Sequence, residues 1–308
     1  MQEGIYHVPV LLNEVIEYLQ IIPSGTYVDC TFGGGGHSKM ILKNLNAQGR
    51  LIVFDQDKDS LRNVPDDKRV TFVPHNFRHL QRFLRLHKIS KVNGILADLG
   101  VSSHQINEAE RGFSTRFDAA LDMRMNQNDS KTAGEVLNTY SEEKLHKIFE
   151  QYGEVTNSKT LAKTIVDYRR TKPFANIKEF KDALYPVVKG NPDKYFAQVF
   201  QAIRIEVNDE LNALKDMLQQ AADVLEDEGR IAIITFHSLE DRLVKNFFKY
   251  GDFEEEEGSD LFGNKKKLPL KVITKKPVVP SSEETKENPR SRSSKLRVAE
   301  KQKNFGRE

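Results

Sequence analysis

The sequence predicts an α/β fold, a parallel sheet with an all-helical domain inserted into it. Three observations carry this. Short apolar runs alternate with helical patterns over the first hundred residues. Strand patterning then stops for roughly 90–100 residues of helical periodicity. A further strand of the earlier kind follows at Arg230–Phe236. Strands alternating with helices favour a parallel sheet, because each crossover needs a helix to return the chain.

The elements follow in order. Val10 to Leu19 repeats apolar residues at helical spacing, and Pro23-Ser24-Gly25 stops it. Thr26 to Thr31 is a short strand entering Gly33-Gly34-Gly35-Gly36, and Ser38 to Leu45 reads as a helix. Arg50 to Phe54 is a second strand ending in Asp55. Val70 to Val73 is a third, with a basic helix over His79–His87 after it. Val92 to Ala97 is a fourth, ending in Asp98. Helices are expected over Glu142–Tyr152, Ser158–Arg170 and Ile177–Val188, then a long helical stretch from Lys194 through Leu225 that ends at Glu228-Gly229. Residues 1–105 with 200–308 form the discontinuous α/β domain, and 106–199 form the insertion. Leu270–Thr274 is a candidate last strand, Pro280–Pro289 a linker, and Arg290–Arg307 either a flexible basic tail or an RNA contact.

Composition bounds the function. The chain has 308 residues, 30% charged and 38% hydrophobic, with a net charge of only +2. A basic binding surface must therefore arise from uneven distribution. One cysteine, Cys30, leaves no internal disulfide and no cysteine-rich zinc site, and fits a reducing, cytoplasmic setting. No apolar run approaches the roughly 20 residues that cross a bilayer, and the opening residues lack the pattern of a secretory signal.

The glycine run is the strongest local feature. It follows a strand and opens a helix, where backbone N–H groups are free to meet a ligand. The bland alternative is a flexible surface loop. Asp55 lies 26 positions after Asp29, and a carboxylate at the end of a second strand can accept both hydroxyls of an adenosine ribose. Its alternative is a helix cap, since Asp57, Asp59 and Ser60 crowd the same turn. Asp98 ends the fourth strand, at the C-terminal edge where open α/β sheets bind ligands. The glycines do not fit the dinucleotide spacing, and an acid at Asp29 is more typical of methyltransferases than of nicotinamide enzymes.

Several segments together resemble the RsmH (MraW) family. They are Asp29-Cys-Thr-Phe-Gly-Gly-Gly-Gly-His-Ser38, Asp98-Leu-Gly-Val-Ser-Ser103, Arg111-Gly-Phe-Ser114, Leu121-Asp-Met-Arg-Met125, Val207-Asn-Asp-Glu-Leu211, Thr235-Phe-His-Ser-Leu-Glu-Asp-Arg242 and Asn288-Pro-Arg-Ser-Arg292. The opening His7-Val-Pro-Val-Leu-Leu-Asn-Glu14 fits as well. The resemblance implies a Rossmann-like class I methyltransferase sheet with an inserted helical domain. It implies S-adenosyl-L-methionine as cofactor and N4-methylation of a cytidine, cytidine 1402, in the decoding centre of 16S rRNA. It implies a small ribosomal subunit or its late assembly intermediate as partner, with no membrane; the oligomeric state stays open, a homodimer included. Carried over by position, Gly35, Gly36, His37, Asp55, Phe77, Asp98 and Gln105 are the cofactor-binding residues. One departure is Gly34, where some relatives carry Arg.

Asp98 and His237 are the catalytic candidates. An exocyclic amine needs acceptors beside it as positive charge develops. Asp98 or the carbonyls of Leu99 and Gly100 can serve, and His237 can relay a proton or make a structural bond at a strand end. The segment after Asp98 has no aromatic to lie under the base, which leaves Phe236 and Phe113 as candidates. No metal site is expected, because the histidines lack ligand spacing. Three basic groups are candidate RNA contacts or solvated faces: Arg78, Arg82, Arg85, Lys88 and Lys91; Arg169, Arg170 and Lys172; Lys265–Lys267, Lys271, Lys275 and Lys276. The rivals are a small-molecule methyltransferase, a non-catalytic RNA-binding or assembly factor, and a nicotinamide-dependent oxidoreductase.

Overall fold

The computed structural model describes residues 9–254, 268–303 and 305. His7 and Val8 of the opening motif, Glu255–Glu257 from the run of four glutamates that begins at Glu254, Lys265–Lys267 and Arg307 lie outside the described residues. In chain order the elements are α1 (Leu12–Leu19), β1 (Thr26–Asp29), α2 (Gly36–Asn44), β2 (Arg50–Phe54), β3 (Val70–Val73), α3 (Leu80–Leu86), β4 (Val92–Asp98), α4 (Ser103–Asn107), α5 (Ala133–Thr139), α6 (Glu142–Gln151), α7 (Ser158–Arg169), α8 (Ile177–Leu184), α9 (Pro192–Asn208), α10 (Glu210–Val224), β5 (Leu225–Thr235), α11 (Ser238–Tyr250), β6 (Leu270–Val272), α12 (Ser282–Glu287) and β7 (Lys295–Lys301). Two compact units result. One comprises the residues up to Gly100 and from Asn212 onward, the other Val101–Leu211. The first division falls five residues earlier than 105/106 and the second twelve residues later than 199/200.

The first unit holds one seven-stranded sheet in the order β3-β2-β1-β4-β5-β7-β6. β1 to β5 pair in parallel, and β7 runs antiparallel to both β5 and β6. The strands alternate between two apolar layers, as a period of two residues requires. Val28, Ile52, Phe54, Ile95, Ala97, Ile231 and Ile233 face α3, α10 and α11. Tyr27, Leu51, Val53, Leu96, Ala232 and Ile234 face α1 and α2. Both faces are covered, which explains why these strands read as nearly continuous apolar runs.

The second unit packs α5 to α9 around its own core. Leu137, Phe149, Leu161, Ile165, Phe180 and Phe200 are buried together there. Side-chain caps start four of its helices, from Thr132, Ser141, Asn176 and Asn191. An isolated bridge between Ala120 and Asn176 is its one β contact among the described residues. The buried Arg111 donates to the carbonyls of Arg124 and Met125, which anchors the motif around Leu121–Met125.

The helical stretch over 194–225 divides into two helices, because Asp209 adopts a left-handed backbone, φ 51°, between α9 and α10. Arg204 and Glu210 bridge the break with two charge-assisted bonds at 2.9 and 3.0 Å. Three sequence expectations are corrected. The fifth strand starts at Leu225 rather than Arg230, with Leu225 opposite Val92 and a register shift before Gly94. The presumed linker contains α12 and a 3-10 turn over Pro289–Ser293. Lys295–Lys301 is not a flexible tail but a strand inside the sheet. Leu296 and Val298 pack on one layer and Ala299 on the other. Its charges are met internally: Arg297 donates to Asp241 at 2.6 Å, and Lys301 Nζ to the Ala222 carbonyl at 2.6 Å.

Candidate active site

The sheet brings three acids to one edge, because β1, β2 and β4 are adjacent and end in register. Asp29 pairs with Val53 across β1–β2 and with Leu96 across β1–β4. Asp29 itself is buried and accepts from Ser38 Oγ at 2.6 Å and from the Thr31 N–H at 3.0 Å. Burial raises its pKa, with those hydrogen bonds opposing the shift. Asp29 thus ties β1 to the first turn of α2.

The glycine loop is an ordered turn rather than a free surface loop. Gly35 sits at φ 74° as the N-cap of α2, a left-handed conformation that side chains rarely adopt. A Cβ at Gly36 would lie 2.2 Å from Pro9 Cγ, so the chain before α1 closes directly over the loop. Gly33 donates its N–H to Asp55 Oδ2 at 2.8 Å, and Asn63 Nδ2 donates to the Gly33 carbonyl at 2.9 Å.

Asp55 follows β2 and also accepts from the Asp57 N–H at 2.8 Å. The helix-cap role belongs to Asp57, which accepts from Asp59 N–H. Burial lifts the Asp55 carboxyl to about 6, against the two backbone donors. The Ser60 hydroxyl is a further donor to this carboxyl, and two oxygens with about four acceptor sites leave capacity for a ribose hydroxyl. Phe77 opens the short 3-10 turn after β3 and is half-buried against the core. Asn76 beside it accepts from Arg78 N–H and donates to Gln56 Oε1 at 2.9 Å, linking the ends of β2 and β3.

Asp98 is the most unusual group. Its N–H donates to Thr31 Oγ1 at 2.6 Å, and its Oδ2 stands 3.8 Å from His37 Nδ1. Oδ1 is buried with no hydrogen-bond partner, although 25% of the side chain is exposed. Burial first, then the charges of Asp29 and Glu240, push its carboxyl up to about 8. A buried acceptor without a donor is costly unless something else meets it. A cationic ammonium at this edge is the chemistry that fits. His37, buried in the first turn of α2, bonds the Val10 carbonyl through Nε2 at 3.0 Å, and burial lowers its pKa.

His237 sits at the end of β5 and caps α11. Its Nδ1 accepts from the Glu240 N–H at 3.4 Å, and Glu240 Oε2 accepts from the N–H groups of Phe236 and His237 at 2.9 and 3.4 Å. This reciprocal capping box is the structural bond that sequence left open against a proton relay. Sequence reasoning puts Glu240 with His237 after the fifth strand, facing the same site, and its burial at 3% exposure accords with a place at this edge. Gln105 belongs to the helical unit. It forms a capping box with Ser102, its Oε1 accepting from the Ser102 N–H at 3.1 Å.

The basic groups divide. Arg78 is paired with Asp216, Lys91 with the Asp223 carbonyl, Arg169 with the carbonyls of Leu137 and Tyr140, Arg170 with Asp167, and Lys172 with Glu179. Arg82, Arg85, Lys88, Lys271, Lys275 and Lys276 are exposed.

Residues 4–302 match the MraW methylase family. A protein of Christiangramia forsetii is 52% identical over 297 residues, covering 96% of this chain and 98% of its own. One of Bacteroides fragilis is 52% identical over 301 residues, covering 97% and 99%. One of Azobacteroides pseudotrichonymphae is 53% identical over 297 residues, covering 96% and 97%. Each bears the name ribosomal RNA small subunit methyltransferase H. With its sheet order, its glycine loop and a match over nearly all its length, the chain belongs to the MraW methylase family.

Proposed function

We propose that the protein methylates N4 of a cytidine in the decoding centre of 16S rRNA, cytidine 1402, from S-adenosyl-L-methionine, in the cytoplasm. The relatives' shared name supports small-subunit rRNA as the substrate class. The observation that carries the cofactor reading is the buried, partnerless Oδ1 of Asp98 at the same edge as the Gly33–Asp55 tie.

S-adenosyl-L-methionine supplies an electrophilic methyl group when bound. Asp55 takes the ribose hydroxyls, Phe77 flanks the adenine, Gly35, Gly36 and His37 line the loop, and Gln105 completes the set. Asp98 receives the methionine ammonium, which removes the cost of its buried oxygen. The target amine is a weak nucleophile, because its lone pair is delocalised into the ring. The carbonyls of Leu99 and Gly100 then act as acceptors for its hydrogens, fixing the amine and drawing off positive charge as it develops. The helical unit grips the RNA, and the cytidine is splayed out of its stack to reach the edge.

Small subunits from a strain lacking this enzyme, incubated with labelled cofactor, test the reading beside free 16S rRNA. Label at one cytidine of the decoding centre is the expected result. Label elsewhere, or none on either RNA, contradicts it. The same assay on a chain with residues 106–199 replaced by a short linker should give no RNA methylation.

A further inference from the structure

The segment after Asp98 carries no aromatic side chain, and a splayed base needs a surface to lie on. The structure places one beside it from another strand. β4 and β5 leave the sheet together, with Asp98 opposite Ile234 and the Leu99 N–H bonded to the Ile234 carbonyl at 3.0 Å. One residue beyond β5, the Phe236 ring passes Gly100, its Cδ2 3.6 Å from where a Cβ there would stand. Gly100 itself holds φ 92°, so the backbone turns away at this point and no side chain covers the ring from that position. Phe236 is half-buried, packed at its base on the α1–α2 layer. The alternative, Phe113, is engaged in the helical unit's own core with the Arg111 guanidinium 5.9 Å from its ring.

The turn that presents Phe236 is fixed by an unusual device. A buried carboxylate, Glu240, accepts the N–H of Phe236 at 2.9 Å and that of His237 at 3.4 Å. Two backbone donors on one buried anion hold the peptide plane, and with it the direction of the ring. Nothing in helix capping alone requires an aromatic at this position.

Resting on the proposed RNA-base substrate, we propose that Phe236 is the stacking platform for the pyrimidine entering the site, and that Glu240 is the positioning residue that holds it beside Gly100. A π-face accepts any base, so the platform supplies affinity and orientation while the acceptors at Leu99 and Gly100 select the amine.

The chain contains no tryptophan, so the Phe236→Trp variant carries a single reporter at the proposed contact. Titration with a cytidine-containing oligoribonucleotide, in the presence of S-adenosylhomocysteine, should quench its fluorescence. In methylation of small subunits, Phe236→Leu should lower kcat/KM by about 10-fold to 100-fold, the range of one base–aromatic stack. Cofactor affinity by calorimetry should stay within about twofold, and Phe236→Tyr should retain most activity. Glu240→Ala should lower RNA kcat/KM similarly, with Glu240→Gln restoring part of it. Three results overturn the proposal: Phe236→Leu within twofold of the parent, Tyr failing as badly as Leu, or a parallel loss of cofactor affinity. A silent Trp reporter in a variant that still methylates also overturns it. If mapping shows a base other than cytidine as the product, the proposed function falls, while a Leu–Tyr contrast on that base leaves the platform standing.

Discussion

Asp98 and His37 face each other across the cofactor edge, Oδ2 to Nδ1 at 3.8 Å, with His37 pinned from behind by its Nε2 bond to the Val10 carbonyl. A neutral ring that donates from Nε2 keeps its lone pair on Nδ1. Asp98 therefore meets an acceptor on one side and the charges of Asp29 and Glu240 around it, and holds its proton to about pH 8. Its Oδ1 is left buried without a hydrogen-bond partner in this arrangement.

Proton linkage is the first consequence. Only ionised Asp98 pairs well with an ammonium, so cofactor affinity should rise with pH toward about 8 and fall above it, where an α-ammonium of pKa about 8 loses its own proton. Binding at pH 7 should release a proton. Calorimetry in buffers of different ionisation enthalpy measures that directly, and a pH-independent affinity would contradict the assignment.

Stability carries the opposite sign. A carboxyl with a raised folded pKa binds more protons folded than unfolded, so the contribution of Asp98 falls as pH rises from about 4 to 8. Asp98→Asn should therefore raise Tm at pH 8 and change it little at pH 4. The same variant should raise the cofactor KM more than it lowers kcat. A normal KM with kcat down roughly 100-fold would make Asp98 an acceptor for the amine instead.

Asp55→Ala should weaken cofactor binding by roughly 10-fold to 100-fold, through the loss of charge-assisted bonds to the ribose. It also releases the Gly33 N–H, so the loop itself should loosen. Hydrogen exchange at Gly33–Gly36 reports that second effect without any cofactor present.

Asp241→Ala tests the seventh strand. It leaves Arg297 and Lys295 without their carboxylate, and Arg297 is buried. Leaving the Arg297 guanidinium without its part-buried carboxylate costs about 1.5–3 kcal/mol, the range of a hydrogen bond to a charged group. Denaturant unfolding should show a loss of that order, while a loss below about 1 kcal/mol would mean β7 does not depend on this pair.

The parts of this site legible in sequence are those whose chemistry depends on neighbours along the chain. A strand, four glycines and a helix start form one continuous run, and acids at strand ends mark the ligand edge. β7 was not legible because Lys295-Leu-Arg-Val-Ala-Glu-Lys301 looks like a charged tail until Asp241 and the Ala222 carbonyl, far away in sequence, meet its cations. The break at Asp209 hides in an amphipathic pattern that continues on both sides. The character of Asp98 depends on Asp29 and Glu240, 69 and 142 positions from it and on either side in the chain, which only the sheet order brings near.

The most direct test of the account is the chemical identity of the methylated nucleoside. Small subunits methylated by the wild-type protein, digested to nucleosides and resolved by mass spectrometry against standards, should yield N4-methylcytidine. A ring-methylated or ribose-methylated product would contradict an amine held at the Asp98–Gly100 edge.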